Sequence, residues 1–266
     1  MIVSLRWVNS YGSTMDLWQF PDGRLFGLYG SSTGSSGTYV VVGRTAGPAP
    51  TATEGQAVAL SIFWRSVTGG TGDPSWHWVS GLGGQQFAAS TTAATMPLIH
   101  AMVATTDFPE LSTPPGVYLD KLVYQAVGAP PARPLIAELA GLERGRGGPA
   151  DPIDGTWRCR ERHGLSLTLG TVSAQYGVVD GLFSEPGRES RLLGVTDSYA
   201  AADGIRLQGL SLSVAHPEGR TQALAGSLDF ADGVLTLTAL DSRGTPASQS
   251  YVQTSTASLS FVKAKG

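Results

Sequence analysis

The chain has 266 residues and a formal net charge of −3, with only 15% charged residues and no basic patch that would indicate nucleic-acid binding. No apolar run reaches the roughly 18 residues that a membrane-spanning helix needs. The single cysteine, Cys159, excludes an intrachain disulfide and a thiolate metal site.

The first predicted strand contains "LRWVNSYGSTM", residues 5–15. Asn9, Tyr11 and Ser13 alternate along it, and alternate side chains of a strand share one face. That face would carry an amide, a phenol and a hydroxyl. It is an unusual face to bury, and it suits a small polar ligand.

Alternation of apolar and polar residues continues through both halves of the chain, interrupted by turn sequences such as "PDGR", "TGGTGD" and "EPGR". About eight strand-sized runs can be counted in each half, which predicts an all-β fold of sandwiches or up-and-down barrels. The clearest inward faces are those of Val58, Leu60, Ile62 and Trp64, and of Leu235, Leu237 and Ala239.

A stretch rich in Pro, Gly and Ala, residues 127–152, divides the chain into a first domain, 1–126, and a second domain, 153–266. Within this linker, "PLIAELAGLERG" predicts a short helix that a glycine ends.

The two halves are similar to each other in the same order throughout, which predicts duplication of one barrel. The matched positions are Trp7 with Trp157, Tyr29 with Phe183, Trp64 with Val214, and Tyr118 with Tyr251.

Five segments of the first half, "WVNSYGSTM", "DGRLFGLYGS", "YVVVGR", "VALSIFWRS" and "WHWVSG", resemble avidin and streptavidin, the biotin-binding β-barrels. The resemblance spans about residues 4–126, and a weaker copy spans about 153–264. It implies two antiparallel eight-stranded up-and-down barrels in tandem, each of a size that can enclose one small ligand.

The resemblance also implies a ligand site in the first barrel. In the family, an asparagine, a serine and a tyrosine hold the ureido oxygen of the ligand, and these match Asn9, Ser13 and Tyr29. A second serine, which binds a ureido N–H, matches Ser31. Tyr11 would line the same interior.

Aromatic walls enclose the ligand in the family. Trp64 matches one wall and either Trp76 or Trp78 matches a second. Tyr118 matches the tryptophan that caps the site of a neighbouring subunit.

Two family residues are absent. The third wall tryptophan should fall near His100–Ala101, and the aspartate that accepts from the other ureido N–H aligns with Ala126. Losing an aromatic wall and a hydrogen-bond partner predicts a weaker site, or one for another ligand.

In the second copy, apolar residues replace most of the polar ones, so a packed barrel without a family-type ligand is expected. The residues at the matching positions are Cys159, Leu165, Phe183, Glu185, Val214, Leu224 and Leu259.

The sequence therefore predicts a small-ligand binding protein, for biotin or a ureido-like molecule in the first barrel. The alternative is a non-catalytic interaction or structural module that has lost biotin binding. No nucleophile–base set, metal-ligand spacing or cofactor loop stands out, so we expect no enzyme, no metal and no cofactor.

Two expectations concern assembly and location. The two barrels should pack against each other as an intramolecular pseudo-dimer, with a homodimer of tandem chains as a further step. A cytoplasmic location follows if Met1 is the native start, and an extracellular one if a leader was removed.

Overall fold

The computed structural model describes residues 2–32, 36–109, 111, 115–142, 151–249 and 254–264, and these form two closed β-barrels. Consecutive strands pair antiparallel around each barrel, so the prediction of two antiparallel eight-stranded up-and-down barrels in tandem is confirmed. The first barrel consists of β1 (Val3–Asn9), β2 (Thr14–Gln19), β3 (Arg24–Ser31), β4 (Gly37–Ala46), β5 (Gln56–Phe63), β6 (Val79–Gln86), β7 (Thr95–Ala104) and β8 (Gly116–Gly128). The second consists of β9 (Gly155–Cys159), β10 (Ser166–Ser173), β11 (Val178–Glu185), β12 (Arg188–Thr196), β13 (Leu207–Ala215), β14 (Arg220–Asp229), β15 (Val234–Arg243) and β16 (Thr254–Lys263).

Each barrel has its own core, built from the inward half of every strand. Trp7 and Trp157 are both buried, at 2% and 1% exposure, as predicted for the matched tryptophans. The indole of Trp157 donates to the carbonyl of Ile153 at 2.7 Å. Tyr251, predicted to match Tyr118, lies outside the described residues.

The two barrels pack against each other through a third hydrophobic cluster. Strand β5 is buried along its whole length because both of its faces are covered: Leu60 points into its own barrel and Phe63 into the shared cluster. Between the barrels, the Ser61 hydroxyl is hydrogen-bonded to those of Ser211 and Ser213 at 2.9 and 3.0 Å. The predicted intramolecular pairing of the barrels is present in these contacts.

Two further contacts tie the barrels together at the edges of this interface. His77 Nδ1 lies 2.8 Å from a carboxylate oxygen of Asp197, which is fully buried. Gln85 Nε2 donates to Thr245 Oγ1 at 2.8 Å. The interface therefore combines an apolar centre with polar contacts across it.

The predicted linker helix is confirmed as α1, Pro134–Ala140, followed by Gly141. A proline opens the helix, which suits a position whose N–H has no partner within the helix. Ile136 and Leu139 are buried in the cluster between the barrels, so α1 is packed on the fold. Residues 143–150 of the linker lie outside the described part.

A short 3-10 helix, Pro74–His77, joins β5 to β6. No helix of the described residues has the length and apolar character needed to cross a membrane.

Candidate functional site

A cavity of about 260 Å³ lies at the end of the first barrel where β1 and β3 finish. Seven of the nine predicted site residues line it, namely Asn9, Tyr11, Ser13, Tyr29, Ser31, Trp64 and Tyr118. Alternate strands of an up-and-down barrel run in the same direction, so their ends meet at one rim. Strands β1 and β3 therefore end at this rim, and β8, which is antiparallel to β1, begins there, so residues of all three strands meet.

Asn9 is fixed by the turn that follows it. Its Oδ1 accepts from the backbone N–H of Tyr11 at 3.1 Å and of Ser13 at 3.0 Å. These bonds form a local turn in which the side chain stands in for backbone, and they set which way the amide faces. The amide oxygen is therefore occupied, and the Nδ2 donors remain for the cavity.

Tyr11 does not belong to a strand. Strand β1 ends at Asn9, and residues 10–13 form a turn in which Gly12 has a φ of 80°. Alternation along an extended chain stops at such a turn, so Tyr11 is 59% exposed and lies at the rim. Its hydroxyl donates to Asp120 at 3.4 Å. The expectation that Tyr11 shares an inward strand face with Asn9 and Ser13 is therefore corrected.

Tyr124 is a residue of this region that the sequence reasoning missed. It pairs with Asn9 across β1 and β8, and it is fully buried. Burial, followed by the neighbouring Tyr29 phenol, raises the pKa of Tyr124 well above its ordinary value. Its hydroxyl makes no hydrogen bond of full geometry within the described residues, and its polar neighbours are the side chains of Asn9 and Tyr29. A polar atom left in this state lies directly beneath Asn9 and Tyr29.

Ala126 is aligned with the family aspartate. It pairs with Trp7, which lies two residues further from the rim than Asn9 on β1. The residue opposite Asn9 is Tyr124, and a phenol cannot supply the charge of a carboxylate. Tyr124 and Ala126 are two residues apart on β8 and share its inward face. Counting along this strand was therefore the signal that could have pointed to Tyr124.

Trp64 forms one wall of the cavity. Its ring meets that of Tyr29 edge-on at 5.7 Å and packs against Tyr39 at 5.0 Å. Its indole N–H donates to Ser80 Oγ at 2.8 Å, so the polar edge of the indole is held away from the ligand space. The wall is therefore fixed in orientation by contacts on both sides.

His100 lines the cavity at the place predicted to lack the third tryptophan. Its Nε2 lies 2.8 Å from Ser80 Oγ. Ser80 Oγ thus contacts both the Trp64 indole and the His100 imidazole, and its two lone pairs and one proton suit either tautomer of the ring. Burial lowers the pKa of His100 to about 4, so the imidazole is neutral at physiological pH.

The two remaining predicted wall residues lie outside the cavity lining. Trp78 is buried in the first core, donates to Thr106 Oγ1 at 2.9 Å and packs edge-on against Phe108. Trp76 belongs to the 3-10 helix, with the Arg65 guanidinium 5.2 Å above its ring. The strand β6 starts only at Val79, which explains why strand alternation placed neither residue.

The strand registers show that the predicted alignment of the second copy is wrong by two residues at its fifth and sixth strands and by four at its eighth, where Leu122 and not Ala126 matches Leu259. Leu60 pairs with a glycine on the preceding strand and a leucine on the following strand, and Leu212 does the same in the second barrel. The two leucines therefore occupy equivalent places. Trp64 lies four residues after Leu60, so its match is His216 and not Val214. A shift of two preserves the inward face, which is why the pattern alone could not detect it.

The same register matches Leu82 with Leu224, because these are the partners of Leu60 and Leu212 on the next strand. Trp78 and Arg220 each lie four residues before these leucines, so they match each other. The predicted match of a wall tryptophan with Leu224 is therefore also wrong. Leu224 itself is fully buried in the second core.

The second barrel is filled where the first is hollow. Apolar side chains at the predicted positions are 0–3% exposed and belong to one cluster; these are Leu165, Phe183, Val214, Leu224 and Leu259. Above them, Arg220 makes ion pairs with Asp241, Glu218 and Glu185, and the last two lie at 3.2 and 3.9 Å. Val214 and Leu224 match the core residues Ile62 and Leu82 of the first barrel, so the difference lies at the rim, where Phe183 and His216 take the places of Tyr29 and Trp64 and are 2% and 3% exposed.

No protein-family model and no curated protein matches the chain. Among solved structures, the chain is similar to the rhizavidin–biotin complex at 20% identity and a TM-score of 0.37, over 49% of this chain and 97% of that one. It is similar to rhizavidin at 20% identity and a TM-score of 0.37, over 50% of this chain and 88% of that one. It is similar to apo short afifavidin at 22% identity and a TM-score of 0.36, over 47% of this chain and 96% of that one. Each match spans about half of the chain, which is the length of one barrel.

Proposed function

We propose that the first barrel binds a small molecule with a ureido-type head group, and that biotin is the first ligand to test. One observation carries the proposal: Asn9 and Ser13, from the end of β1 and the turn after it, and Tyr29, from β3, converge on an open cavity that has Trp64 as a wall.

The donors suit a carbonyl oxygen. Asn9 has its amide oxygen occupied by the turn, so its Nδ2 group is the part available to a ligand. The hydroxyls of Ser13 and Tyr29 are the other two donors at the same rim. The hydroxyl of Ser31 has two lone pairs and can accept from a ligand N–H. A cyclic urea, with one carbonyl between two N–H groups, matches this arrangement.

The same geometry favours modest affinity. One indole, Trp64, lines the cavity, while Trp78 turns its N–H to Thr106 and His100 takes the place of a third aromatic wall. An indole buries about 150–250 Å². At about 25 cal/mol per Å², each missing wall removes several kcal/mol of apolar contact.

Titration calorimetry with biotin and with 2-imidazolidinone, the bare cyclic urea, tests the proposal. The sharpest variant is Asn9→Asp, because a carboxylate keeps the acceptor that holds the turn but removes the Nδ2 donors. We expect Asn9→Asp to abolish binding, with a melting transition that shows the variant still folds although it buries a charge. Ser10→Ala, an exposed neighbour in the same turn, should leave binding unchanged.

A wild-type protein that shows neither heat nor a melting shift with either compound at millimolar concentration would overturn the proposal. The melting shift is a sensitive readout, since a ligand at 100 times its dissociation constant stabilises the folded state by about 2.7 kcal/mol. Binding that persists at full strength in Asn9→Asp would show that the ligand lies elsewhere.

A further inference from the structure

We propose that the first barrel has a second binding site at its opposite end, for a neutral and mostly apolar molecule that carries an amide or hydroxyl group. The site is independent of the ureido site. Trp7 and Asn9, two residues apart on β1, line the two different cavities.

The second cavity is the larger of the two, with a volume of about 660 Å³. It lies where β2, β4 and β6 end, between the connections that lead into β3, β5 and β7. Its volume is within the range of about 300–1,000 Å³ that is usual for pockets holding drug-sized molecules.

The walls of this cavity are mainly apolar. The strands supply leucines and the indole of Trp7, and the connections supply phenylalanines, alanines and prolines. The main apolar contacts are Leu5, Leu17, Leu25, Phe20, Phe87 and Ala94. An apolar ligand body would gain about 25 cal/mol for each Å² of surface that it buries here.

Three glutamine side chains form a connected network beside these walls. Gln86 Nε2 donates to Gln56 Oε1 at 2.8 Å and to Gln19 Oε1 at 3.1 Å. Gln56 Nε2 donates to the carbonyl of Gly47 at 3.3 Å. Gln56 and Gln86 are only 5% and 9% exposed, so the network is built into the wall.

The network has capacity left for a ligand. Both protons of Gln86 Nε2 are used, but no donor within the described residues reaches its Oε1. Gln56 Nε2 uses one of its two protons. The wall therefore offers one acceptor and one donor close together, which an amide or a hydroxyl satisfies and a hydrocarbon does not.

Charge decides against an acidic ligand. Among the residues that line this cavity in the described part of the chain, Asp22 is the one with a charge, and Arg24 pairs with it at 2.6 Å. No lining cation is available for a carboxylate, and burying an unpaired carboxylate is costly. A fatty amide therefore fits this site better than the fatty acid of the same length.

Ile2 and Val3, beside the mouth of the cavity, are 51% and 54% exposed, so neither side chain fills it. The cavity is therefore open to a separate molecule, which the experiment supplies.

Fluorescence titration with N-phenyl-1-naphthylamine, a neutral apolar probe with one N–H donor, tests the site on the full chain. We expect saturable binding of one probe per chain, and displacement by oleamide at a concentration at least tenfold lower than by oleate. We also expect Ala89→Trp, an exposed position on the cavity rim, to weaken probe binding at least tenfold. The matched control is Ala93→Trp, which is exposed on the same connection but does not line this cavity.

Three results would overturn the proposal: no saturable probe binding, equal binding by the two tryptophan variants, or equal displacement by oleate and oleamide. Loss of probe binding in Asn9→Asp would place the probe in the ureido site and would also refute it. Because the probe titration needs no biotin, this proposal can fail while the ureido site stands, and the reverse.

Discussion

Trp64 in the first barrel and His216 in the second occupy the same place, each meeting the aromatic ring of the third strand edge-on. The ring distances are 5.7 Å from Trp64 to Tyr29 and 5.4 Å from His216 to Phe183. One position thus carries a wall in one barrel and a small polar ring in the other. It separates the hollow barrel from the filled one.

Replacing Trp64 by the residue of the second barrel, Trp64→His, should weaken binding at the ureido site. Removing most of the indole surface from the ligand is expected to cost about 2 kcal/mol or more, which is roughly a thirtyfold loss of affinity. Calorimetry with biotin or 2-imidazolidinone measures it, provided that the wild type binds. The reduced affinity should appear without loss of the folded state, since His216 already shows that this site accepts an imidazole.

Acid should destabilise the protein through two imidazoles, the half-buried His100 and the buried His216. Burial lowers the pKa of both His100 and His216 to about 4, whereas an unfolded histidine takes up its proton near pH 6.5. The unfolded chain therefore binds more protons between these values. The free energy of unfolding should fall as the pH drops from about 6.5 towards about 4, by at most about 1.4 kcal/mol per pH unit for each imidazole.

Urea unfolding at a series of pH values tests this prediction with a matched pair of variants. His100→Gln stays neutral and can still hydrogen-bond to Ser80 as donor or acceptor, so its stability should fall less steeply over that window than that of the wild type. His163→Gln, at an exposed histidine, should follow the wild-type curve. Parallel curves for all three proteins would show that His100 contributes nothing to the acid response.

The close approach of the barrels at Gly81 should be sensitive to a single methyl group. A Cβ at this position would lie 2.8 Å from the Cβ of Ala225, which is closer than real Cβ contacts come. Gly81→Ala should therefore lower the free energy of unfolding by about 1–3 kcal/mol. The double variant Gly81→Ala/Ala225→Gly should recover much of that loss, and a purely additive double variant would refute the steric explanation.

The charge cluster over the second barrel should contribute measurably to stability. Asp241→Asn removes one of three carboxylates around Arg220, whose side chain is 14% exposed, and we expect a loss of about 1–2 kcal/mol. Asp229→Asn is the comparison, because its partner Arg206 is 71% exposed and solvent screens such a pair, so we expect a smaller loss. Urea unfolding at low salt measures both, and a larger loss for Asp229→Asn would contradict the prediction.

Much of the fold could be predicted from alternation and turn residues, because both are local properties of the chain. The polar convergence at the rim could also be anticipated, since Asn9, Ser13 and Tyr29 lie in motifs with a known arrangement. Their role in binding stays a prediction.

What could not be predicted depends on where strands begin and end. Tyr11 does not lie on the predicted inward face because β1 ends at Asn9. Trp78 does not line the cavity because β6 begins one residue after it. The match of Trp64 with Val214 failed because a period of two cannot distinguish positions two residues apart. The larger cavity escaped notice because its walls come from residues that read as ordinary core and loop.

The face between the barrels is not a contact between two identical surfaces. In a symmetric pair of identical chains, each substitution appears on both sides of the interface, so the two copies of the new residue must both be accommodated. By the strand registers Ser61 matches Ser213, but Ala59 matches Ser211 and Gly81 matches Ala223, so the two sides already differ. Joining the barrels in one polypeptide frees each to change alone, so one can serve as a fixed support while the other keeps its hollow.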